Sequence, residues 1–256
     1  MTKRKFIDLS VTLVTNPPGS FTTAEITYYR HEETAKTRGE ALNLPEDFFP
    51  EKMLAAEELA TVATHAGTHF DAPFHFAVTS EGKPAKTIDN VPLEWCYGDG
   101  VVLDFSYKKA GELITAEDVQ GALTKINYTL NPFDIVLIRT DASKHYAEPG
   151  YESMHPGMGR DSTLWLIEQG IKVMGIDAWG WDRPFGVMMK EYQETGNKEV
   201  FLPAHFLMRE KEYCHIENLG NLDLIPIPYG FTVAVFPVKI KAASAGWCRA
   251  VAIVDE

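Results

Sequence analysis

The stretch HAGTHFDAPFHF, residues 65–76, carries three histidines and an aspartate separated by small and apolar residues. Its reading as helix or strand decides what the rest of the chain must build around it. On a helix, His65 and His69 would share a face but Asp71 would not, and Gly67 and Pro73 both weaken a helix. On an extended segment the even spacings put His65, His69 and Asp71 on one side. We therefore read a strand running into a turn at Pro73, with two imidazoles and a carboxylate converging on one point and Thr68 facing away. Ala66, Gly67 and Ala72 leave room beside that point. The set suits a divalent ion such as zinc, manganese or iron. His75, beyond the proline, is a further ligand or a nearby acid/base. The helical HExxH arrangement is excluded, because no Glu follows His65. A lone histidine is more often structural, but three with an aspartate on one short stretch favour a metal site.

Working outward, Ile7, Leu9, Val11 and Leu13 alternate with polar residues and predict a first strand with one buried face, broken by NPPGS at 16–20. EITYYRH at 25–31 reads as a second strand, residues 35–53 as a loop, and 57–71 as extended chain. GVVLDF (100–105), DIVLIRT (134–140) and IKVMGID (171–177) read as buried strands. Between them, Thr115 opens a capping-box-like T-A-E-D, followed by Val119, Ala122, Leu123 and Ile126 at helical spacing. Asp161 or Ser162 caps a second helix through Glu168, which Gly170 ends. Strand, helix, strand, helix, strand implies crossover units around a partly parallel sheet. FTVAVFPVKI and WCRAVAIVD return the chain to β. The fold class is α/β with a mixed sheet. No linker or repeat interrupts residues 1–256, so a single domain is expected.

The 256 residues carry a formal net charge of -12. Such a surface repels phosphate backbones and anionic bilayers, so nucleic acid and membrane are not expected partners. No apolar run approaches the roughly 20 residues of a membrane helix. In the N-terminal MTKRKFIDLSVTLV, Asp8, Ser10 and Thr12 interrupt the apolar residues as strand alternation does, unlike a signal-peptide core. Cys96, Cys214 and Cys248 are far apart and form no CxxC; they read as reduced thiols of a cytoplasmic protein.

The stretch at 65–76 resembles the signature H-x-G-T-H-x-D-x-P-x-H of the cyclase family of metal-dependent hydrolases, which includes kynurenine formamidases and isatin hydrolases. His65, Gly67, Thr68, His69, Asp71, Pro73 and His75 match every fixed position. The family's later His and Glu, twelve apart with Asn-Leu following, match His205, Glu217, Asn218 and Leu219. IDLS at 7–10 and GID at 175–177 also look like this family, so the similarity runs over nearly the whole chain. The resemblance implies that His65, His69 and Asp71 hold one divalent ion, that Asp71, His205 and Glu217 hold a second with the carboxylates bridging, and that His75 is the acid/base. It implies one or two ions per chain, zinc or manganese, in a swivelling β/β/α fold. It further implies a homo-oligomer (dimer or tetramer) in which neighbouring subunits help to form the site. Two stretches depart from kynurenine formamidases: TNPPGSFTTAEI at 15–26 lacks their tryptophan, and AWGWDRPF at 178–185 is not expected of them. Both fall where a substrate would be read.

The expected activity is hydrolysis of an amide or cyclic amide, an isatin-like lactam or an N-formyl aromatic amine. Kynurenine formamidase activity proper and hydrolysis of a lactone are the alternatives. A divalent ion lowers the pKa of bound water from ~16 toward ~7, so no covalent enzyme intermediate is required. His75 would move a proton to the leaving nitrogen, a role that suits an imidazole with an unperturbed pKa near ~6.5. No G-x-S-x-G elbow is present, and GMGRDS at 157–162 is too incomplete for a nucleotide loop. A metal-stabilised binding protein would need a closed coordination shell. A purely structural protein would be expected to have lost a ligand. Residues 178–203 show no clean period; Trp179, Trp181, Asp182 and Phe185 either wall a pocket for a planar or cyclic substrate or anchor a long loop. Arg183 binds a substrate carboxylate or an internal partner, His155 sits in a surface turn or reaches the site, and Asp177 orients a ligand histidine or caps a turn.

Overall fold

The computed structural model describes residues 3–18, 22–45 and 47–255. In chain order the strands that frame the molecule are β1 (Arg4–Asp8), β2 (Ala24–Tyr29), β3 (Glu57–Val62), β4 (His69–Asp71), β5 (Tyr97–Asp104), β6 (Ile135–Arg139), β7 (Val173–Ile176), β8 (Cys214–Glu217), β9 (Tyr229–Ala234), β10 (Ala245–Trp247) and β11 (Val251–Asp255). Nine of them form one sheet in the order β1-β11-β9-β5-β6-β7-β8-β4-β10. β5, β6, β7 and β8 run parallel and the outer pairings are antiparallel. This is the expected mixed α/β sheet.

The first two of the three parallel crossovers carry α2 (Ala116–Lys125) and α3 (Arg160–Glu168), numbered after α1 (His31–Leu42). The box at Thr115 closes as expected: its hydroxyl accepts from the Asp118 amide while the Asp118 carboxylate accepts from the Thr115 amide. α3 starts earlier than expected, because Gly159 is its cap and Ser162 instead bonds back to the Gly159 amide. Alternation in the strands sorts the core onto two faces. Val101, Leu103, Val136, Ile138, Met174 and Ile176 pack under α2 and α3. Val102, Ile135, Leu137, Val173 and Ile216 pack on the far side with Leu9, Phe70 and Val233.

Three local readings differ. The first strand stops at Asp8 and continues only as a bridge between Ser10 and Leu219; of the NPPGS break, residues 19–20 lie outside the described residues, as does residue 21. Residues 31–42, of which 35–42 read as loop, form α1, which begins at His31 after β2. Its sequence HEETAKTRGEAL has no apolar period, and it buries only Thr34, Ala35 and Gly39. The segment 178–203 contains α4 (Phe185–Thr195), ended by Gly196 at φ +69°. A short helix, α5 (Pro203–Phe206), follows with Pro203 in its first turn. No helix among the described residues is long and apolar enough to cross a membrane.

Candidate metal centre and adjoining cavity

The sheet itself sets out the site. In β8 the order Cys-His-Ile-Glu sends Cys214 and Ile216 into the far-side core and His215 and Glu217 to the other face. β4 does the same, burying Phe70 among those apolar residues and turning His69 and Asp71 toward the site. The antiparallel register places Asp71 opposite His215 and Glu217 opposite His69. Four ligand-type side chains thus share one face of two neighbouring strands.

His65 arrives by a different route from the one expected. Residues 63–68 are a turn, not strand, with Gly67 at φ +64°, a conformation that favours glycine. The turn carries His65 over Asp71, its Nδ1 2.8 Å from Asp71 Oδ1 and its Nε2 3.0 Å from Ser244 Oγ. Thr68 faces away from the cluster, as expected; its hydroxyl donates to Asn218 O at 2.5 Å and accepts from the Val11 amide at 2.9 Å. His75 ends a turn of 3-10 helix begun by Pro73, stacks on His65 with ring centroids 3.9 Å apart, and stands 3.8 Å from Asp71 Oδ2.

His205 comes from α5. The Asp182 carboxylate accepts from the Ala204 and His205 amides at 2.9 and 3.0 Å, capping that helix, and from His205 Nδ1 at 2.5 Å. His205 Nε2 is thereby aimed at Glu217 Oε1, 3.4 Å away. The Trp181 amide donates to the same Glu217 oxygen at 2.8 Å. Asp182 lines the adjoining cavity and also orients a candidate ligand, the arrangement by which metal-binding imidazoles are commonly held.

His215 was not singled out in the sequence. It is fully buried, with Nε2 3.1 Å from Asp71 Oδ2 and 3.3 Å from Glu217 Oε1. His69 Nε2 lies 3.4 Å from Asp71 Oδ1 and 3.6 Å from Glu217 Oε2, its Nδ1 being tied to Gly67 O at 2.8 Å. Potential ligand atoms of Asp71, His205, His215 and Glu217 all lie within 4.8 Å of one another, as do those of His65, Asp71 and His75. His69 Nε2, both Asp71 oxygens and His215 Nε2 are buried without a hydrogen-bond partner of proper geometry. Buried polar atoms are rarely left so. The spacings also match the edge of a zinc tetrahedron, about 3.4 Å for ligand distances near 2.1 Å. The residues therefore fit a divalent ion.

Charge is balanced within the cluster. Burial opposes ionisation of Asp71, but the imidazoles around it, His69, His65 and His215 among them, outweigh burial and hold the carboxyl well below its usual range. Glu217 is likewise buried, and the close approach of His205 and His215 holds it down. Burial opposes a proton on His205, yet Asp182 and Glu217 push its pKa up to about 10. At His75 burial wins over the pull of Asp71 and lowers the pKa to about 3, so this imidazole is neutral.

A cavity of about 550 Å³ opens on this cluster, within the range of small-molecule sites. His65, His75, His205 and Glu217 lie at one side of it, and Phe76, Tyr146, Tyr151, Trp179 and Phe185 supply aromatic wall. Trp179 and Phe185 meet edge to face at 5.5 Å. Trp181 does not line it: fully buried, it stacks on His215 at 5.6 Å and donates its indole N–H to Thr163. Arg183 lines the cavity and pairs with Glu191 at 2.5 Å. Asp177 caps a turn, accepting from the Thr140 and Asp141 amides, and touches no ligand histidine. His155 is fully buried, with Nδ1 on Pro156 O, and is no surface turn.

The family model described as "Putative cyclase" matches residues 7–183. Isatin hydrolase of Roseibium aggregatum is 27% identical over 204 residues, covering 75% of this chain and 72% of that one. Kynurenine formamidase of Bacillus mycoides is 25% identical over 174 residues, covering 68% and 73%. Among solved structures, an isatin hydrolase bound to the product analogue thioisatinate superposes with a TM-score of 0.77 at 21% identity, covering 99% of this chain and 93% of that one. Isatin hydrolase A from Ralstonia solanacearum gives 0.77 at 23% identity, covering 98% and 92%. The structural likenesses speak to the fold. With the signature at 65–75 held in one buried cluster and the family model spanning more than half its length, this chain belongs to the cyclase family.

Proposed function

We propose that the protein is a metal-dependent hydrolase of an amide or cyclic amide, an isatin-like lactam or an N-formyl aromatic amine. The observation that carries this reading is Asp71, a buried carboxylate with His65, His69, His75 and His215 within 2.8–3.8 Å, at the side of an aromatic-walled cavity. His65, His69 and Asp71, and Asp71, His205 and Glu217, would hold one or two divalent ions, zinc or manganese. A bound ion would supply water activation at neutral pH and polarise the scissile carbonyl.

The chain's own groups do the rest. Trp179 and Phe185 would stack on a planar substrate and direct its carbonyl toward Asp71. His75, neutral and beside Asp71, would take a proton from the attacking water and return it to the leaving nitrogen. Starting neutral, it acts first as base and only then as acid. Phe76 and Trp179 line the cavity beside these groups. The exposed Tyr28, Tyr29 and Leu59 of the paired strands β2 and β3 support a homo-oligomer, and the unpaired Cys96, Cys214 and Cys248 support a cytoplasmic setting. We assign the whole chain to one domain.

The test is turnover of isatin, an N-formyl aromatic amine and an aryl lactone by protein reloaded with zinc or manganese, beside the His75→Ala variant. Hydrolysis of one of the two amides, reduced at least ~100-fold in the variant as expected for a lost acid/base, supports the reading. Near-wild-type turnover in His75→Ala would remove His75 from the chemistry; turnover of the lactone alone would replace the amide assignment.

A further inference from the structure

We propose that His215 is itself a metal ligand, closing a four-donor centre with Asp71, His205 and Glu217. The inference rests on the metal-dependent reading above and extends it, since the two-part signature supplies five ligands and His215 is none of them.

Three observations converge on it. First, strand geometry leaves no other destination for the ring. His215 precedes Glu217 by two on β8 and faces Asp71 across the β4 pairing, so its side chain emerges between the two carboxylates. Second, its Nε2 stands 3.1 Å from Asp71 Oδ2 and 3.3 Å from Glu217 Oε1, and Glu217 Oε1 is 3.4 Å from His205 Nε2. These three spacings are close to the ~3.4 Å edge of a tetrahedron with ligand distances near 2.1 Å, and the ligand atoms of all four residues lie within 4.8 Å of one another. Third, His215 is fully buried and its Nε2 makes no hydrogen bond of acceptable geometry despite those close oxygens. A buried imidazole kept only for structure would be satisfied by a carbonyl or hydroxyl; this one aims its Nε2 at two carboxylates whose remaining neighbours are other candidate ligands. Trp181, stacked on the ring with 13° between planes, holds it in that direction.

The ligands are not equivalent. His69 and His205 have their Nδ1 atoms fixed by Gly67 O and Asp182, whereas the Nδ1 of His215 is buried without a partner. His215 lacks the anchoring that raises ligand basicity. Removing it should weaken the centre without abolishing it. With it, Asp71, His205, His215 and Glu217 would offer an ion four protein donors, while the group of His65, Asp71 and His75 lies nearer the cavity: the side chains of His65 and His75 are 22% and 24% exposed, that of His215 0%.

The experiment loads wild-type protein, His215→Gln and His215→Phe with cobalt(II), records the visible d–d absorption, and measures zinc affinity by competition with a chromophoric chelator. Gln keeps a hydrogen-bond donor but no imidazole; Phe keeps the face for Trp181. Circular dichroism of the metal-free proteins selects the folded variant. The expected result is an altered cobalt spectrum and a roughly 10–100-fold loss of zinc affinity at one centre in either folded variant. An unchanged spectrum and affinity in His215→Gln would show that the ring merely positions the carboxylates and would overturn the proposal. Wild-type protein that takes up no cobalt would instead defeat the metal-dependent reading on which it rests.

Discussion

Asp71 and His215 stand directly opposite each other on antiparallel strands, carboxylate Oδ2 to imidazole Nε2 at 3.1 Å, in complete burial. Asp71 Oδ1 faces the other way, toward His65 and His69. One carboxylate therefore links histidines brought by the sheet, His69 and His215, with His65 brought by the turn at 63–68. An isolated ionised carboxylate could not remain there without compensating charge. The cluster depends on its imidazoles, and a cation would draw on the same oxygens.

The two tryptophans of 178–185 should separate cleanly. Trp181→Ala removes a fully buried side chain packed on His215 and should cost about 3–5 kcal/mol of stability. Trp179→Ala, at the cavity wall, should raise KM for an aromatic substrate with a smaller stability loss. Denaturant unfolding and steady-state kinetics on both variants read the difference.

Gly157→Ala should disturb the site from outside it. A Cβ at Gly157 would lie 2.2 Å from the Arg183 amide nitrogen and 2.3 Å from the Asp182 carbonyl carbon, and backbone cannot yield as a side-chain tip can. Overpacking of this kind costs about 1–3 kcal/mol. Because Asp182 orients His205, weaker metal binding should accompany the fall in Tm. Chelator competition beside calorimetry checks the pairing of the two effects.

Thr68→Val tests the clip between the motif and its surroundings. The hydroxyl donates to Asn218 O and accepts from the Val11 amide. Leaving such buried groups unpaired should cost about 2 kcal/mol, or roughly 4–8 °C in Tm for a chain of this size, while metal stoichiometry is retained.

Metal binding should release protons. In the metal-free protein Asp182 and Glu217 overcome the cost of burial and push the His205 pKa up to about 10, so the ring is protonated at neutral pH and loses its proton only above that value. An ion needs the Nε2 lone pair and must displace that proton. Apparent affinity should rise with pH between 7 and 8, about tenfold per unit for each proton released. Calorimetry in buffers of different ionisation enthalpy counts the protons; affinity independent of pH would contradict the assignment of His205.

Much of this was legible in the sequence, for identifiable reasons. β6 and β7 announced themselves by continuous apolar runs, and α2 by its box at Thr115 and the Val119/Leu123 stripe. α1 was illegible because it buries little and its face is polar. α4, read as irregular, has Met188 as its only buried residue. At the site, even spacing gave the right company for His65 by the wrong path, since Gly67 at positive φ turns the chain where a strand was expected. His215 carried its own signal, a His two before Glu217 on a short apolar strand, which the family signature does not contain. Trp181 and Asp182 share a sequence neighbourhood with Trp179, but one is buried behind His215 and the other caps α5. Such partition depends on chain path, which composition does not reveal.

Everything proposed for the site depends on the Asp71 cluster holding metal. Elemental mass spectrometry on tag-free protein, reloaded with zinc or manganese and freed of excess, tests it most directly. One or two ions per chain are expected, lost together in the Asp71→Ala, Glu217→Ala double variant. No stoichiometric metal in the wild type under either loading would contradict it.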